Sequence, residues 1–196
     1  VASKPFVIGL TGSIGMGKSQ TARLFAAEGV PVFDADAAVH ALYAGEAAAM
    51  IEAAFPGSTR DGVVDRALLA QRVMGDGAAL KRLEGIVHPL VAEARDDFVR
   101  DARADILVLD VPLLLENGIA CDAVVVATAP EEVQRQRVLA RPGMTEARFQ
   151  ALLDRQMRDV EKRGAAHYLV ITDKGLDHAR EQVRMILADI RTKLRA

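Results

Sequence analysis

Disulfide chemistry is excluded at once: the 196 residues include one cysteine, Cys121, so no internal bridge can form and a reducing compartment suits the chain. Long apolar runs are missing too, since none approaches the ~20 residues a bilayer-spanning helix needs. The opening "VASKPFVIGL" has too short an apolar run before its glycine to read as a secretory signal. Charge of one sign is not in excess. The 25 Lys and Arg against 27 Asp and Glu leave a net of −2, which offers no global attraction to nucleic acid or to a membrane surface. Internal repeats and low-complexity tails are absent. What remains is a globular composition, 51% hydrophobic and 27% charged, long enough for one α/β domain with insertions and expected in the cytoplasm.

Five short runs are almost uniformly apolar and rich in β-branched residues: Phe6–Thr11, Val30–Asp34, Ile106–Asp110, Ala123–Thr128 and Tyr168–Thr172. Strands buried on both faces of a parallel sheet have this character. Their alternation with helical patterns predicts a doubly wound α/β fold with right-handed crossovers. Pro31 at the start of the second run marks that strand as an edge, because proline cannot donate to a ladder. The core is expected over 5–36, 104–134 and 164–196.

Two segments are too long to be single crossovers. Residues 37–103 are alanine-rich and helical, starting with a helix over Ala37–Tyr43, and are expected to break at Pro56–Ser58, Asp61–Gly62 and His88–Pro89. They predict a helical subdomain. Residues 135–163 predict a lid. The helix leading into it opens on Thr128-x-x-Glu131 with an early proline, the pattern of a capping box. The following "TEARFQALLDRQM" places Phe149, Leu152, Leu153 and Met157 on one helical face.

The sequence from Gly12 to Ser19, "GSIGMGKS", satisfies G-x-x-x-x-G-K-[ST] and lies between a predicted strand and a predicted helix. Small residues let the backbone wrap an anion with its N–H groups turned inward, and the helix start adds free N–H groups and a positive dipole end. Lys18 would reach the β- and γ-phosphates of a nucleotide, and the Ser19 hydroxyl would ligate Mg²⁺. A GTPase switch is disfavoured, since no D-x-x-G and no N-K-x-D occurs. A small-molecule kinase needs an acid, an acceptor pocket and a cationic lid.

Acids end two of the predicted strands. Asp34 and Asp36 follow the second, where ligands bind in open α/β sheets; one could take a proton from an attacking hydroxyl, and one could instead cap the following helix. Asp110 ends the third strand in the manner of a Walker B acid near the metal, or as a strand-end turn residue. The lid stretch carries eight Lys and Arg (Arg135, Arg137, Arg141, Arg148, Arg155, Arg158, Lys162 and Arg163) against four acids, a local net of +4. Arg137 and Arg141, four apart, are expected to share a helical face; arginine suits the charge on a transferring phosphoryl group, though any single member could be a solvated surface residue.

The stretches "IGLTGSIGMGKS", "FDADAAVH", "VDRALLAQRV", "LEGIVHPLV", "VPLLLENG" and "EEVQRQRVLAR" together resemble the dephospho-CoA kinase family in order and spacing over nearly the whole chain. The resemblance implies a P-loop kinase core of five parallel strands in the order 2-3-1-4-5, with a helical acceptor-binding insertion and a lid. It implies ATP and Mg²⁺ as cofactors, and phosphoryl transfer to the ribose 3′-hydroxyl of dephospho-CoA. Kinases of other small alcohols or nucleosides, and a nucleotide-dependent switch, stand as alternatives. Carried across, Gly12, Ser13, Ile14, Gly15, Met16, Gly17, Lys18, Ser19 and Gln20 would bind ATP, with Arg137 beside them. Asp36 would be the base with Asp34 in support, and Arg141 would contact the phosphate. Ser19 and Asp110 would face the metal. Arg66, His88, Leu113 and Glu116 would surround the acceptor. The family permits a monomer or a small oligomer, and no long apolar stripe is left over. Two departures stand out: Gln20 replaces a common threonine, and His167 and Asp173 occupy positions where aspartate and asparagine are usual.

Overall fold

The elements of the computed structural model, which describes residues 4–196, follow in chain order. They are β1 (Phe6–Thr11), α1 (Lys18–Ala27), β2 (Val32–Asp34), α2 (Ala35–Tyr43), α3 (Glu46–Ala54), β3 (Thr59–Arg60), β4 (Val63–Val64) and α4 (Arg66–Val73). Then come α5 (Gly77–Asp101), β5 (Ile106–Asp110), β6 (Ala123–Thr128), α6 (Glu131–Leu139), α7 (Glu146–Leu153), α8 (Asp159–Gly164), β7 (Tyr168–Ile171) and α9 (Leu176–Arg195). The five apolar runs form one parallel sheet in the order β2-β5-β1-β6-β7. This is the expected 2-3-1-4-5 order once the two strands of a small hairpin are counted in the numbering. The expected edge position of β2 holds as well: it is three residues long, begins just after Pro31, and receives the Val108 N–H on the Pro31 carbonyl at 3.0 Å.

Contacts divide the chain into two units, one running to Phe33 and resuming at Arg103, the other Asp34–Ala102. In the first, alternate strand residues feed opposite layers. Ile8, Leu10, Val108, Val125 and Val170 pack with Phe25 of α1 and Val183, Ile186, Leu187 and Ile190 of α9. The helix forms because its apolar residues recur every three or four positions, giving one continuous stripe. On the other face Val124 and Val126 pack with Leu114, with Cys121 and Leu169 at the margin. Cys121 is half-buried there, and burial pushes its thiol above the ordinary cysteine value.

The second unit buries Leu42, Ile51, Phe55, Leu69 and Val87 among its helices. Three of these helices are capped by aspartate: Asp34, Asp65 and Asp76 accept first-turn N–H groups of α2, α4 and α5 at 2.9–3.1 Å. Of the expected breaks, those at Pro56–Ser58 and Asp61–Gly62 occur and the one at His88–Pro89 does not. Asp61–Gly62 is the tight turn of the β3–β4 hairpin, with φ of 50° and 78°, the left-handed pair that a two-residue turn demands. The helix does not break at His88–Pro89; α5 runs 25 residues with Pro89 inside it. An interior proline costs a helix about 3 kcal/mol. Apolar packing on both sides of it, by Leu83, Ile86, Val87, Leu90 and Val91, outweighs that local penalty.

The lid region is also corrected. The α6 N-cap is Pro130, with no side-chain cap bond, and the Thr128 hydroxyl donates instead to Asp159 at 2.8 Å. Helix α7 is capped by Thr145 and ends at Leu153, so Met157 lies beyond the face it was expected to share with buried Phe149.

Candidate active site

Sequence and backbone agree most closely between Thr11 and Lys18. Gly15 and Gly17 adopt φ of 78° and 89°, a region costly for residues with a Cβ. A Cβ on Gly15 would lie 2.5 Å from Val138, and one on Gly17 would lie 2.9 Å from Thr172. Gly17 starts α1 without any side-chain cap, and the first turn of that helix contains no acid. The first bond into the helix runs from the Thr21 N–H to the Gly17 carbonyl at 3.0 Å, so the N–H groups of Lys18, Ser19 and Gln20 have no partner within the helix. The result is an uncapped, electropositive helix start, the form suited to a phosphate.

Lys18 is ion-paired with Asp110, the last residue of β5, whose side chain is only 6% exposed. The pairing brings together a loop cation and a strand-end carboxylate 92 residues apart in sequence. Ser19 and Gln20 are exposed on the first turn of α1. Among the described residues no three His, Cys, Asp or Glu side chains cluster as a metal site.

The two arginines expected to share a face separate. Arg137, in α6, reaches down to the loop: Nη1 donates to the Thr172 hydroxyl at 2.9 Å and to the Gly15 carbonyl at 3.4 Å, and Nη2 donates to the Thr172 carbonyl at 2.7 Å. Arg141 lies past the end of α6 in an exposed turn, its N–H bonded to the Val138 carbonyl.

Several charges counted toward a cationic lid are otherwise engaged. Arg135 pairs with Glu146 and Arg158 with Glu161, both on the surface. Lys162 is 1% exposed and bonds Glu116 at 2.9 Å. The same Glu116 oxygen accepts the Met157 N–H at 2.8 Å, while its other oxygen is buried without a hydrogen-bond partner among the described residues. Burial works to raise the Glu116 carboxyl, but Lys162 and the backbone amides outweigh it and hold the group below the usual carboxylate range. Leu113, in the turn that follows β5, has φ of 55°, an uncommon conformation for a bulky side chain and one concentrated at functional sites.

In the second unit, Asp34, Asp36, His40, Tyr43 and Arg66 form the polar part of a cleft of about 830 Å³, with Leu69, Val73 and Leu83 among its apolar lining. Asp34 spends Oδ1 on the Ala37 N–H at 3.0 Å, the cap of α2, whereas Asp36 is exposed in the first turn of that helix. The Arg66 guanidinium lies 5.6 Å from the Tyr43 ring centroid. Burial raises the Tyr43 hydroxyl above its ordinary value, with Arg66 opposing. His88 is exposed on α5 and is not part of the cleft lining.

The His167 departure has a physical reading. Its Nδ1 accepts the Val124 N–H at 3.1 Å, and its own N–H donates to the Val124 carbonyl at 2.9 Å. Asp122 does the same one strand over, accepting from Val7 at 2.7 Å and donating to its carbonyl at 2.8 Å. An imidazole nitrogen thus takes at His167 the acceptor place that a carboxylate oxygen has at Asp122, each at the start of a strand. Asp173 is exposed in the turn after β7.

Known proteins resemble this chain along nearly its whole length. The family model described as dephospho-CoA kinase matches residues 6–178. The dephospho-CoA kinase of Mesorhizobium japonicum is 58% identical over 190 residues, covering 94% of this chain and 96% of the relative. A crystal structure from Thermus thermophilus superposes with a TM-score of 0.82 at 33% identity, covering 95% of this chain and 98% of the other. The dephospho-CoA kinase of Campylobacter jejuni shares the fold, with a TM-score of 0.70 at 22% identity over 96% and 98% of the two chains.

Proposed function

This chain belongs to the dephospho-CoA kinase family, and we propose that it catalyses the family's reaction with Gly12–Ser19 as its phosphate seat and Asp36 as its base. It is an ATP-dependent kinase that transfers the γ-phosphate to the ribose 3′-hydroxyl of dephospho-CoA, giving coenzyme A and ADP, the last step of coenzyme A synthesis. The observation that supports the seat is the uncapped start of α1 behind left-handed Gly15 and Gly17.

In our reading the 3′-oxygen attacks the γ-phosphorus in line, the bond from that phosphorus to the β,γ-bridging oxygen breaks, and the hydroxyl proton passes to the Asp36 carboxylate. Asp34 fixes the turn that presents Asp36 by capping α2. Lys18 exchanges Asp110 for the β- and γ-phosphates as nucleotide binds, an exchange of one anionic partner for another. Arg141, exposed on the lid turn, meets the charge spreading over the transferring group. Arg66 and the strained turn at Leu113 belong to the acceptor side. His88 and Glu116 we leave out of that set, because His88 lies off the cleft and Glu116 is occupied by Lys162 and Met157.

The Ser19 hydroxyl and an Asp110 oxygen are hard oxygen donors of the type Mg²⁺ takes, and they would hold it beside the nucleotide. Bound there with ATP, Mg²⁺ supplies neutralisation of charge on the β- and γ-oxygens. No helix among the described residues is long and apolar enough to cross a membrane, which is compatible with a cytoplasmic enzyme acting on a small-molecule substrate.

A coupled assay of ADP release tests the reading, with dephospho-CoA set against a panel of alcohols and nucleosides. We expect acceptor-dependent release with dephospho-CoA alone. Release with another alcohol would reassign the acceptor, and slow hydrolysis indifferent to any acceptor would make the protein a switch.

A further inference from the structure

A phosphate seat works only if its carbonyl oxygens face away from the anion. Each carbonyl from Ser13 to Gly17 has a donor of its own. Ser13 accepts the Met16 N–H at 3.1 Å, and Gly17 accepts from Thr21 through both its N–H and its hydroxyl, at 3.0 and 3.1 Å. The three carbonyls between them are held by side chains from far along the chain. Ile14 accepts from Gln134 Nε2 at 2.8 Å, Gly15 from Arg137 Nη1 at 3.4 Å, and Met16 from the Thr172 hydroxyl at 2.8 Å. Arg137 also donates to that hydroxyl, which polarises it toward Met16, and Gln134 is buried.

In a trans peptide the carbonyl and the following N–H point to opposite sides. Every peptide bond here is trans. Holding back the carbonyls of Ile14, Met16 and Gly17 therefore aims the N–H groups of Gly15, Gly17 and Lys18 the other way. We propose that Gln134 and Thr172, together with Arg137, are positioning residues that pre-organise the phosphate seat by pinning its carbonyls outward. The inference rests on the reading of residues 12–19 as that seat. It assigns Thr172, which lies in the segment where base recognition is a natural expectation, to phosphate binding. It also moves Arg137 from contacting nucleotide to supporting the loop that does. Without the pins, peptide units flanking glycine can flip, and each flip replaces a donor by an oxygen facing an anion.

The test is titration calorimetry of the full chain with ATP and, separately, with inorganic tripolyphosphate. The proteins compared are the wild type, Thr172→Val, Thr172→Ser and Gln134→Met. Methionine keeps the volume of glutamine and removes its donor, and valine keeps the volume of threonine and removes the hydroxyl that bonds Met16 and accepts from Arg137. We expect Thr172→Val and Gln134→Met each to weaken both ligands by the same factor, roughly five- to tenfold for one lost hydrogen bond, and Thr172→Ser to restore affinity to within about twofold. A Thr172→Val protein that binds tripolyphosphate like the wild type, whatever its melting temperature, overturns the proposal, as does a loss confined to ATP, which would place Thr172 at the base. Should Thr172→Val not fold, Gln134→Met decides the matter by the same comparison. A wild type that binds neither ligand overturns both the seat and its supports. A wild type that binds both but does not phosphorylate dephospho-CoA overturns only the acceptor assignment, and the variant comparison still decides this inference.

Discussion

Replacing Lys162 by methionine separates a structural from a substrate-binding role for Glu116. Lys162 is 1% exposed and the Glu116 side chain 18%, so the pair is largely cut off from water. Removing one partner of a buried pair typically costs 3–5 kcal/mol, because the remaining charge is left uncompensated. The residual exposure of Glu116 and its bond to the Met157 N–H soften the loss, and we expect about 2–3 kcal/mol. For a chain of this length each kcal/mol moves the midpoint by roughly 2–4 °C, so Lys162→Met should melt about 5–10 °C lower. The double variant Lys162→Met/Glu116→Leu should recover most of that, since apolar residues can replace a buried pair with little loss.

The pH dependence follows from the direction of the Glu116 shift. A carboxyl held below its usual range contributes stability that is fully present above the unfolded value, near 4.3, and is lost as pH falls through the folded value. The gap between wild type and Lys162→Met should therefore narrow in acid. Thermal unfolding by circular dichroism from pH 3.5 to 8 is the assay. A single variant within 1 °C of the wild type at pH 7.5, combined with a raised KM for dephospho-CoA, would refute the structural role and return Glu116 to the acceptor.

Three further outcomes are expected. Asp36→Asn should lose turnover by about 10²–10⁴-fold while keeping ATP affinity, as read by steady-state kinetics and titration; near-normal turnover would remove Asp36 as base. Arg141→Ala, at an exposed turn, should depress kcat with a melting shift under about 2 °C, and a large melting shift with normal kcat would make it structural. His167→Leu should destabilise by about 1–3 kcal/mol through the orphaned Val124 N–H, and His167→Asp should restore most of it in the same melting assay.

Much of this protein was legible from local pattern. Runs such as "ILVLD" and "AVVVAT" are short, apolar on both faces and rich in β-branched residues, the character of buried strands; Pro31 marked the edge, and the glycines before Lys18 marked the tight turn between β1 and α1. These features depend on neighbours within a few residues, where period, proline and glycine act directly on the backbone. Asp61–Gly62 likewise marks a break between helices from local pattern alone, and the β3–β4 hairpin is the form that break takes. Pro89 misled because a strong local rule was overruled by packing along both halves of α5.

What only the tertiary structure decided is which polar groups meet. Gln134 lies 120 residues from Ile14 and Thr172 lies 156 from Met16, yet they complete one loop. Arg137 and Arg141 look equivalent four residues apart, but the end of α6 at Leu139 sends one to the phosphate loop and leaves the other exposed. Lys162 counts as a lid cation in any charge tally until the fold buries it against Glu116. A backbone pattern is repeated along the chain and can be read from it, whereas a hydrogen bond between distant side chains is a single event, created when packing sets two particular atoms within 3 Å of one another.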